Sequence, residues 1–517
     1  TTRGQGVGLE VGKISQTQAR VGQHGDELCA RQGERVPRDA QRTARLLGVK
    51  LPAIPVEHQY IVYDESPELK AYRAAGGREL AVLREPDQSY YFREERLGWI
   101  LGPYEAGAPA RFADGVPSWF GKDLFPGELE RLLPHVEAAQ RRVPGLERCG
   151  IKDIVNGPIA YTPDGSPLVG PAWGVRNVWI NEGHSFGITA AGGAGWQLAE
   201  WIVEGEPGID MLAVDPRRFG GYTSKRYLVA KNEEAYRDVF TIHYPDEERH
   251  DARPAKTSPV YDRLKRMGAV FGQRYGWERA NWFAPEGVEP KDEWSFRRSN
   301  YFQHVGNECR RLREKVGVID LTPFTKFEVT GPGAEGWLDS LVANKVPTKV
   351  GRIALCHALT QRGGIRSEFT ITKLADLSNE AFPWLSVRTI DIGYTKAVAL
   401  RVNYVGELGW ELHVPVEHVL SVYDLIWAAG EPLGIADYGL YAMDSLRLEK
   451  CYRAWKGDLT TEYTPFMASL DRFVKIDKPG GFIGQSALQR EAAVGPKERF
   501  VPLIVETTDA DAAAVSI

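Results

Sequence analysis

Cysteine is scarce in this sequence: five in 517 residues, at Cys29, Cys149, Cys309, Cys356 and Cys451, far apart and with no C-x-x-C pair. Neither a thiolate zinc site nor a disulfide framework is indicated, which fits a reducing compartment. Excess positive charge is missing too. Lys and Arg number 64 against 69 Asp and Glu, a net of -5 with pI near 6.1. A polyanion binder would carry a basic patch and a high pI, so that class is set aside. Long apolar runs are lacking. The most apolar stretch, Ile188 to Val203, is broken by Gln197 and Glu200, short of the roughly 18 uninterrupted residues of a membrane span. No initial Met and no apolar h-region of a secretory signal are visible. What is there is ordinary for a folded chain, 43% apolar and 26% charged. At about 150 residues per domain the length predicts about three domains, soluble and intracellular.

Residues 1–47 differ in texture from the rest, rich in Gly, Gln and Arg with little period of 2 or 3.6. The cluster Gly4, Gly6, Gly8 has no strand before it, so it predicts a flexible lead-in rather than a phosphate loop. From Val49, "VKLPAIPVEHQYIVYD" predicts a strand. "AVLREPDQSYYFREERLGWILGPYE" predicts strands around a Pro86-Asp87 turn, the second ending at Gly102. "GELERLLPHVEAAQRRVPG" predicts a helix interrupted at Pro134. "NGPIAYTPDG" reads as a turn region, followed by a buried strand (Val178 to Asn181), a tight loop and a helix to about Glu204, stopped by Gly205 and Pro207.

Residues 209–293 read as a mixed linker domain, and a third unit begins near Trp294. "NECRRLREKVGVIDLT" predicts a helix running into a strand. "KFEVTGPGAEGWLDSLV" predicts a strand, a turn and a helix. "KAVALRVNYVGELGWELHVP" predicts a hairpin turning at Gly406, and "EHVLSVYDLIWAAG" a helix with Leu420, Tyr423 and Trp427 on one face. The tail from Thr507 offers nothing obvious to bury.

The strongest local signal for chemistry is Gly183-His184-Ser185-Phe186-Gly187-Ile188 between a strand and a helix. Glycines let backbone approach a flat ligand, and a helix start aims free N–H groups at negative charge. The small residues Ala191 to Gly195 would let the helix pack tightly. On these grounds alone a cofactor loop and close helix–strand packing are equally good readings.

Three regions, in order, carry a family resemblance. "NGPIAYTPDGSPLVGP", "NVWINEGHSFGITAAGGAGWQLAEWIVEGEP" and the later "RRF" closely resemble the flavin-dependent domain of dimethylglycine and sarcosine dehydrogenases. "YRDVFTIHYPDEERHDARPAKTSPVYDRLKRMGAVFGQRYGWERANWFAP" is similar to their central domain. "VGVIDLTPFTKFEVTGPGA", "GELGWELHVP" and "YAMDSLRLEKCYRAW" look like their folate domain, shared with the glycine-cleavage aminomethyltransferase. The resemblance spans about Leu51 to Phe500. It implies an α+β multidomain protein: a lead-in (1–47), the C-terminal part of an FAD-dependent amine-oxidase-type domain (48–208), a central domain (209–293), an aminomethyltransferase-like folate domain (294–506) and a tail (507–517).

The same resemblance implies oxidative demethylation of dimethylglycine or sarcosine, with the one-carbon unit passed to tetrahydrofolate. FAD and tetrahydrofolate are the implied cofactors, and an electron-transfer flavoprotein or oxygen the implied acceptor. The implied location is the mitochondrial matrix in a eukaryote and the cytoplasm in a bacterium. His58 and Tyr91 match positions facing the amine beside the flavin. Gly183, Ser185, Phe186, Gly187 and Ile188 match the loop that meets the flavin ring. Glu368 falls where the family carries an Asp in the folate site, and Tyr404, Glu407 and Arg447 match folate-contacting positions. By its residue type alone, a strand histidine such as His58 is more often a satisfied core group. Glu407 reads equally well as a turn carboxylate, and Arg447 as a helix-surface charge.

The sequence departs from the family in two places. A βαβ unit with G-x-G-x-x-G, the grip on the adenosine diphosphate half of FAD, is not found in residues 1–47. After Lys373, "TITKLADLSNEAFPWLSV" omits a strand–helix stretch that the family has. Two expectations follow: an active FAD-dependent demethylating enzyme, or an impaired, folate-binding remnant that holds flavin weakly.

Overall fold

The computed structural model describes residues 44–117, 119–121, 123–373 and 384–503. The lead-in and tail readings fall almost wholly outside the described residues. The chain divides into two compact units: residues 1–195 with 213–242, and 196–212 with 243–517.

The first unit is built on a five-stranded antiparallel sheet. In chain order it comprises β1 (Ile54–Tyr63), α1 (Pro67–Ala74), β2 (Leu83–Glu85), β3 (Tyr90–Glu95), β4 (Gly98–Pro103), α2 (Leu129–Arg142) and β5 (Ile151–Tyr161). A hairpin of β6 (Leu168–Pro171) and β7 (Trp179–Glu182) follows, then α3 (Gly187–Glu204) and α4 (Lys225–Arg237). The large sheet runs β2-β3-β4-β1-β5. Ser66 caps α1 by accepting from Leu69 N at 3.3 Å, with Pro67 in the first turn, as an N-cap serine should.

Alternation along the strands sorts the sheet's two faces. Ile61, Tyr63, Tyr90, Phe92 and Leu101 pack with Leu132 and Val136 of α2. Val56, Tyr91 and Ile159 pack with Ala235 and Tyr236 of α4 and with Phe240. Helix α2, with Leu69 of α1, thus covers one face and α4 the other.

Three expectations need correction here. The segment 80–103 is three short strands in two hairpins, because Arg96 (φ 60°) supplies a second tight turn. Helix α2 continues through Pro134. Burial of Leu132, Val136, Ala138 and Ala139 outweighs the one lost amide bond. Asn156-Gly157-Pro158 lies inside β5, not in a turn, and Pro158 pairs with Glu57. Because β5 is at the sheet edge, a proline without N–H is tolerated there.

The second unit contains α5 (Tyr261–Arg266), β8 (Ala269–Arg274), β9 (Trp277–Phe283), α6 (Phe302–Glu314), β10 (Gly317–Val318) and α7 (Ala334–Leu341). It continues with β11 (Ile353–Leu359), β12 (Ile365–Thr372), β13 (Val387–Ile392), β14 (Thr395–Leu400) and β15 (Glu411–His413). Last come α8 (Val419–Gly430), β16 (Ala436–Asp437), α9 (Leu440–Glu449) and α10 (Gln485–Val494). The hairpins β8-β9 and β11-β12, the ribbon β13-β14-β15 and the parallel pair β10-β16 form separate small sheets.

The helix running into a strand is present as α6 and β10. The strand expected at Lys326–Thr330 does not form, and Phe327 there is 80% exposed. The hairpin at Gly406 is a β14-β15 pair with a long loop, Gly406 sitting at φ 76°. On α8, Val422 and Tyr423 are buried while Leu420 is exposed, so the buried face is rotated from the expected one. Residues 374–383, where the missing stretch was read, lie outside the described residues.

Candidate functional site

On β1, alternate side chains point to opposite faces, and polar groups occur on both. Glu57, 1% exposed, accepts from Arg111 Nε (2.5 Å), Arg131 Nη2 (2.6 Å) and Asn156 Nδ2 (3.0 Å). Burial works to raise its pKa, but the bonds from Asn156, Arg131 and Arg111 outweigh it and hold Glu57 below the ordinary carboxylate range. Gln59 is buried between Glu105 Oε1, to which Nε2 donates at 3.1 Å, and Glu128 N, from which Oε1 accepts at 2.7 Å.

His58 belongs to the α4 face. Its Nδ1 lies 2.9 Å from the Tyr236 hydroxyl, which donates to Glu105 Oε2 at 2.9 Å. The Tyr104 ring stands 4.8 Å away, centroid to centroid. A little of the His58 surface reaches solvent, but the crowding protein disfavours the imidazolium and lowers the pKa to about 4. Burial also raises the Tyr91 hydroxyl above its ordinary value, and the neighbouring Tyr60 adds to it.

The register brings His58 and Tyr91 to one face. Tyr91 pairs with Gly102 on β4, and Tyr91 joins the same cluster as Tyr104 and Tyr236. A Cβ on Gly102 would meet the Tyr91 ring at 2.0 Å, so the glycine makes room for that ring to lie across the sheet.

The loop after β7 approaches this face through one ring. Phe186 meets Phe240 at 6.0 Å, and Phe240 packs edge-on against Tyr104 at 4.5 Å. Gly183 turns the chain at φ 75°, open to glycine at little cost. Ser185 lies in the turn just before α3, half-buried. Helix α3 closes its first bond from Ala190 N to Phe186 O at 3.0 Å. The amides of Gly187, Ile188 and Thr189 therefore precede the intrahelical ladder and face outward. Ile188 is 83% exposed, and nothing lies within 4 Å of a Cβ placed at Gly192, Gly193 or Gly195. The tight packing expected of those small residues is thus not made among the described residues.

Two titratable groups, Glu182 before the loop and His184 within it, are not among the site residues expected from the sequence. Glu182, the last residue of β7, is raised to about 7 by burial, against a bond from Gly183 N. His184 donates from Nε2 to Asn181 Oδ1 at 2.7 Å, while its buried Nδ1 has no partner among the described residues. An open helix start and an unsatisfied ring nitrogen fit the ring end of a flavin. All strand pairs described in this unit are antiparallel, so the dinucleotide half finds no βαβ unit among the described residues.

In the second unit Glu368 on β12 stands opposite His357 on β11, with Oε2 2.9 Å from Nε2. His357 is wholly buried and its Nδ1 has no partner among the described residues. Tyr404 donates to Arg453 O at 2.5 Å. Burial pushes its pKa up, with Arg447 and Glu368 among the charges it senses. Arg447 is buried and already committed to Asp444 (2.7 Å), Tyr452 O (3.0 Å) and Asp458. It is an internal clamp rather than a surface charge. Glu407 lies apart from these three, on a cavity of about 210 Å³ shared with Trp384, Arg401, Asn403 and Tyr452. Ligand sites run to about 300–1,000 Å³, so this cavity is smaller than a folate site.

Sequence comparison places three family domains along the chain: "FAD dependent oxidoreductase" at 39–201, "FAD dependent oxidoreductase central domain" at 204–258, and "GCVT N-terminal domain" at 260–376 and 372–478. The class is a modular oxidoreductase with an aminomethyltransferase-like portion. Mouse mitochondrial dimethylglycine dehydrogenase is 37% identical, over 91% of this chain and 61% of that protein. The 4-methylaminobutanoate oxidase (formaldehyde-forming) of Paenarthrobacter nicotinovorans is 32% identical over 91% and 63%. Human mitochondrial sarcosine dehydrogenase is 29% identical over 90% and 61%. The chain is similar over most of its length to members of the dimethylglycine and sarcosine dehydrogenase family and spans about three fifths of these relatives' length. No helix among the described residues is long and apolar enough to cross a membrane.

Proposed function

We propose that the chain carries out FAD-dependent oxidative demethylation of an N-methylated amino acid, dimethylglycine or sarcosine, and hands the one-carbon unit to tetrahydrofolate. The single observation that carries this reading is the placing of His58 and Tyr91 on one sheet face with Phe186 of the glycine loop. Bound flavin would supply the acceptor for the hydride leaving the N-methyl group. The chain's part is preparation. A substrate ammonium holds its nitrogen lone pair in an N–H bond, and His58 Nε2 takes that proton. A base at about 4 is weak, so transfer requires that the same aromatic pocket also disfavour the ammonium; desolvation acts on both cations alike. Tyr91 orients the amine, and the amides of Gly187 and Ile188 offer positive dipole ends to charge developing on the ring. Loss of a hydride leaves an iminium, which water converts to formaldehyde and the demethylated amine, or which a reduced folate captures.

Glu368, paired with His357, is the carboxylate for the pterin edge, with Tyr404 near it; Glu407 lines the separate small cavity, and Arg447 holds the segment from Tyr452 to Asp458. The electron acceptor is an electron-transfer flavoprotein or oxygen, and the compartment the mitochondrial matrix or, in a bacterium, the cytoplasm. A second reading is favoured by the absence of a βαβ unit among the described residues: a folate-binding protein with little flavin of its own. Purified protein incubated with FAD and dimethylglycine or sarcosine decides. Formaldehyde release that falls with added tetrahydrofolate, and drops at least about 100-fold in His58→Asn, is expected, the loss typical of a missing general base. Calorimetric binding of reduced folate without any amine turnover sinks the first reading and favours the second.

A further inference from the structure

The hydroxyl of Tyr236 has one proton and two polar neighbours. Glu105 Oε2 is a carboxylate oxygen at 2.9 Å, and that carboxylate also receives Gln59 Nε2 at 3.1 Å and faces Arg131 Nε at 3.6 Å. An acceptor-only group so placed takes the tyrosine proton. The Tyr236 oxygen is then left to accept, and its other neighbour, His58 Nδ1 at 2.9 Å, must be the donor. The His58 ring makes no other hydrogen bond among the described residues. We propose that Tyr236 and Glu105 are positioning residues that hold His58 as its Nδ1–H tautomer, leaving the Nε2 lone pair as the acceptor toward the substrate amine.

The arrangement resembles no local motif. Glu105 follows β4, Tyr236 lies on α4 and His58 on β1, so three separate elements set one proton. Tyr236 is buried, and its own ionisation is pushed well above the ordinary phenol value by burial, with Glu105 next in effect. The tyrosine therefore keeps its proton at any working pH and acts as a fixed relay of orientation rather than a titrating group. When Nε2 takes a proton, the imidazolium is joined through Tyr236 to the Glu105 carboxylate, which stabilises the new charge without a direct ion pair. The other groups against His58 are the Tyr104 ring at 4.8 Å and the edge of Tyr236 at 5.9 Å. Neither carries a charge that would compete.

This inference rests on the demethylation reading for what Nε2 does, but its test does not use turnover. Long-range ¹H–¹⁵N spectra of the full chain labelled with ¹⁵N-histidine, with His58 assigned by the signal lost in His58→Asn, report which ring nitrogen bears the proton. The parent should show a protonated Nδ1 and an unprotonated Nε2. In Tyr236→Phe, and in Glu105→Ala where the tyrosine proton is freed to point at the ring, the pattern should move to an Nε2–H form or a mixture. An Nε2–H tautomer or an averaged signal in the parent overturns the proposal even if neither variant folds. So does an unchanged pattern in a folded variant. The correct tautomer without amine turnover would sink demethylation and leave this assignment standing; turnover with the wrong tautomer would sink this assignment alone.

Discussion

His58 and Glu182 pull the stability of the first unit in opposite directions across mildly acidic pH. For His58, burial lowers the folded pKa from 6.5 to about 4. Between those values the unfolded chain binds the proton and the folded one does not, so the contribution is present above about pH 6.5 and lost as pH falls toward 4. For Glu182, burial raises the folded pKa from 4.5 to about 7. There the folded state holds the extra proton, and the contribution, present below about pH 4.5, is lost as pH rises through 7. At about 1.4 kcal/mol per pKa unit the Glu182 contribution comes to about 3.5 kcal/mol. Relative to the parent, Glu182→Gln should therefore make stability climb more steeply between pH 4.5 and 7, and His58→Asn should make it fall. Urea unfolding followed at a series of pH values checks both; identical pH slopes in all three proteins contradict the assignment. At this scale the sequence was legible only through resemblance. His58 and Tyr91 could be picked out that way, whereas Tyr236 lies 178 positions from His58 and nothing local marks it. His357 could have been found by pairing the strands, since it stands directly opposite Glu368.

Among elements, the differences from expectation share a cause: burial outweighs local punctuation. Proline at 134 and Asn-Gly-Pro at 156–158 are turn and breaker signals in isolation. In the folded chain an amphipathic helix face and an edge pairing override them. The reverse failure occurs at Lys326–Thr330, where strand-like alternation finds no partner strand among the described residues. Where pattern and packing agree, as in β1 and α6, the expected elements form. Gly102 is the element-scale feature that matters most for the site, because the Tyr91 ring occupies the space a side chain would fill. Gly102→Ala should cost about 1–3 kcal/mol by overpacking. Tyr91→Ala should remove much of that cost, giving a coupling of at least about 0.5 kcal/mol in a double-mutant cycle. Additive losses would show that the two positions do not press on each other.

At the scale of the molecule, domain order was readable because three long segments each resemble a known domain. The passage of the chain between compact units was not. Helix α3 is divided between them at 195/196, and no compositional break marks a point that tertiary contacts alone define. One feature of the first unit bears on how the protein behaves in a crowd. Its sheet ends in β5, an 11-residue edge strand, long enough to template a neighbouring copy. Lys152 and Asp153 are exposed at its start, Phe125 N bonds Asn156 O at 2.9 Å, and Pro158 offers no donor at all. Together they work as gatekeepers against cross-β self-assembly. Pro158→Thr would restore a donor and raise β propensity in one step. On gentle heating its light scattering should rise sooner than the parent's, and matched scattering curves would exclude this role. A missing N–H on the edge strand at Pro158 would then be what keeps many copies of this chain from becoming one fibre.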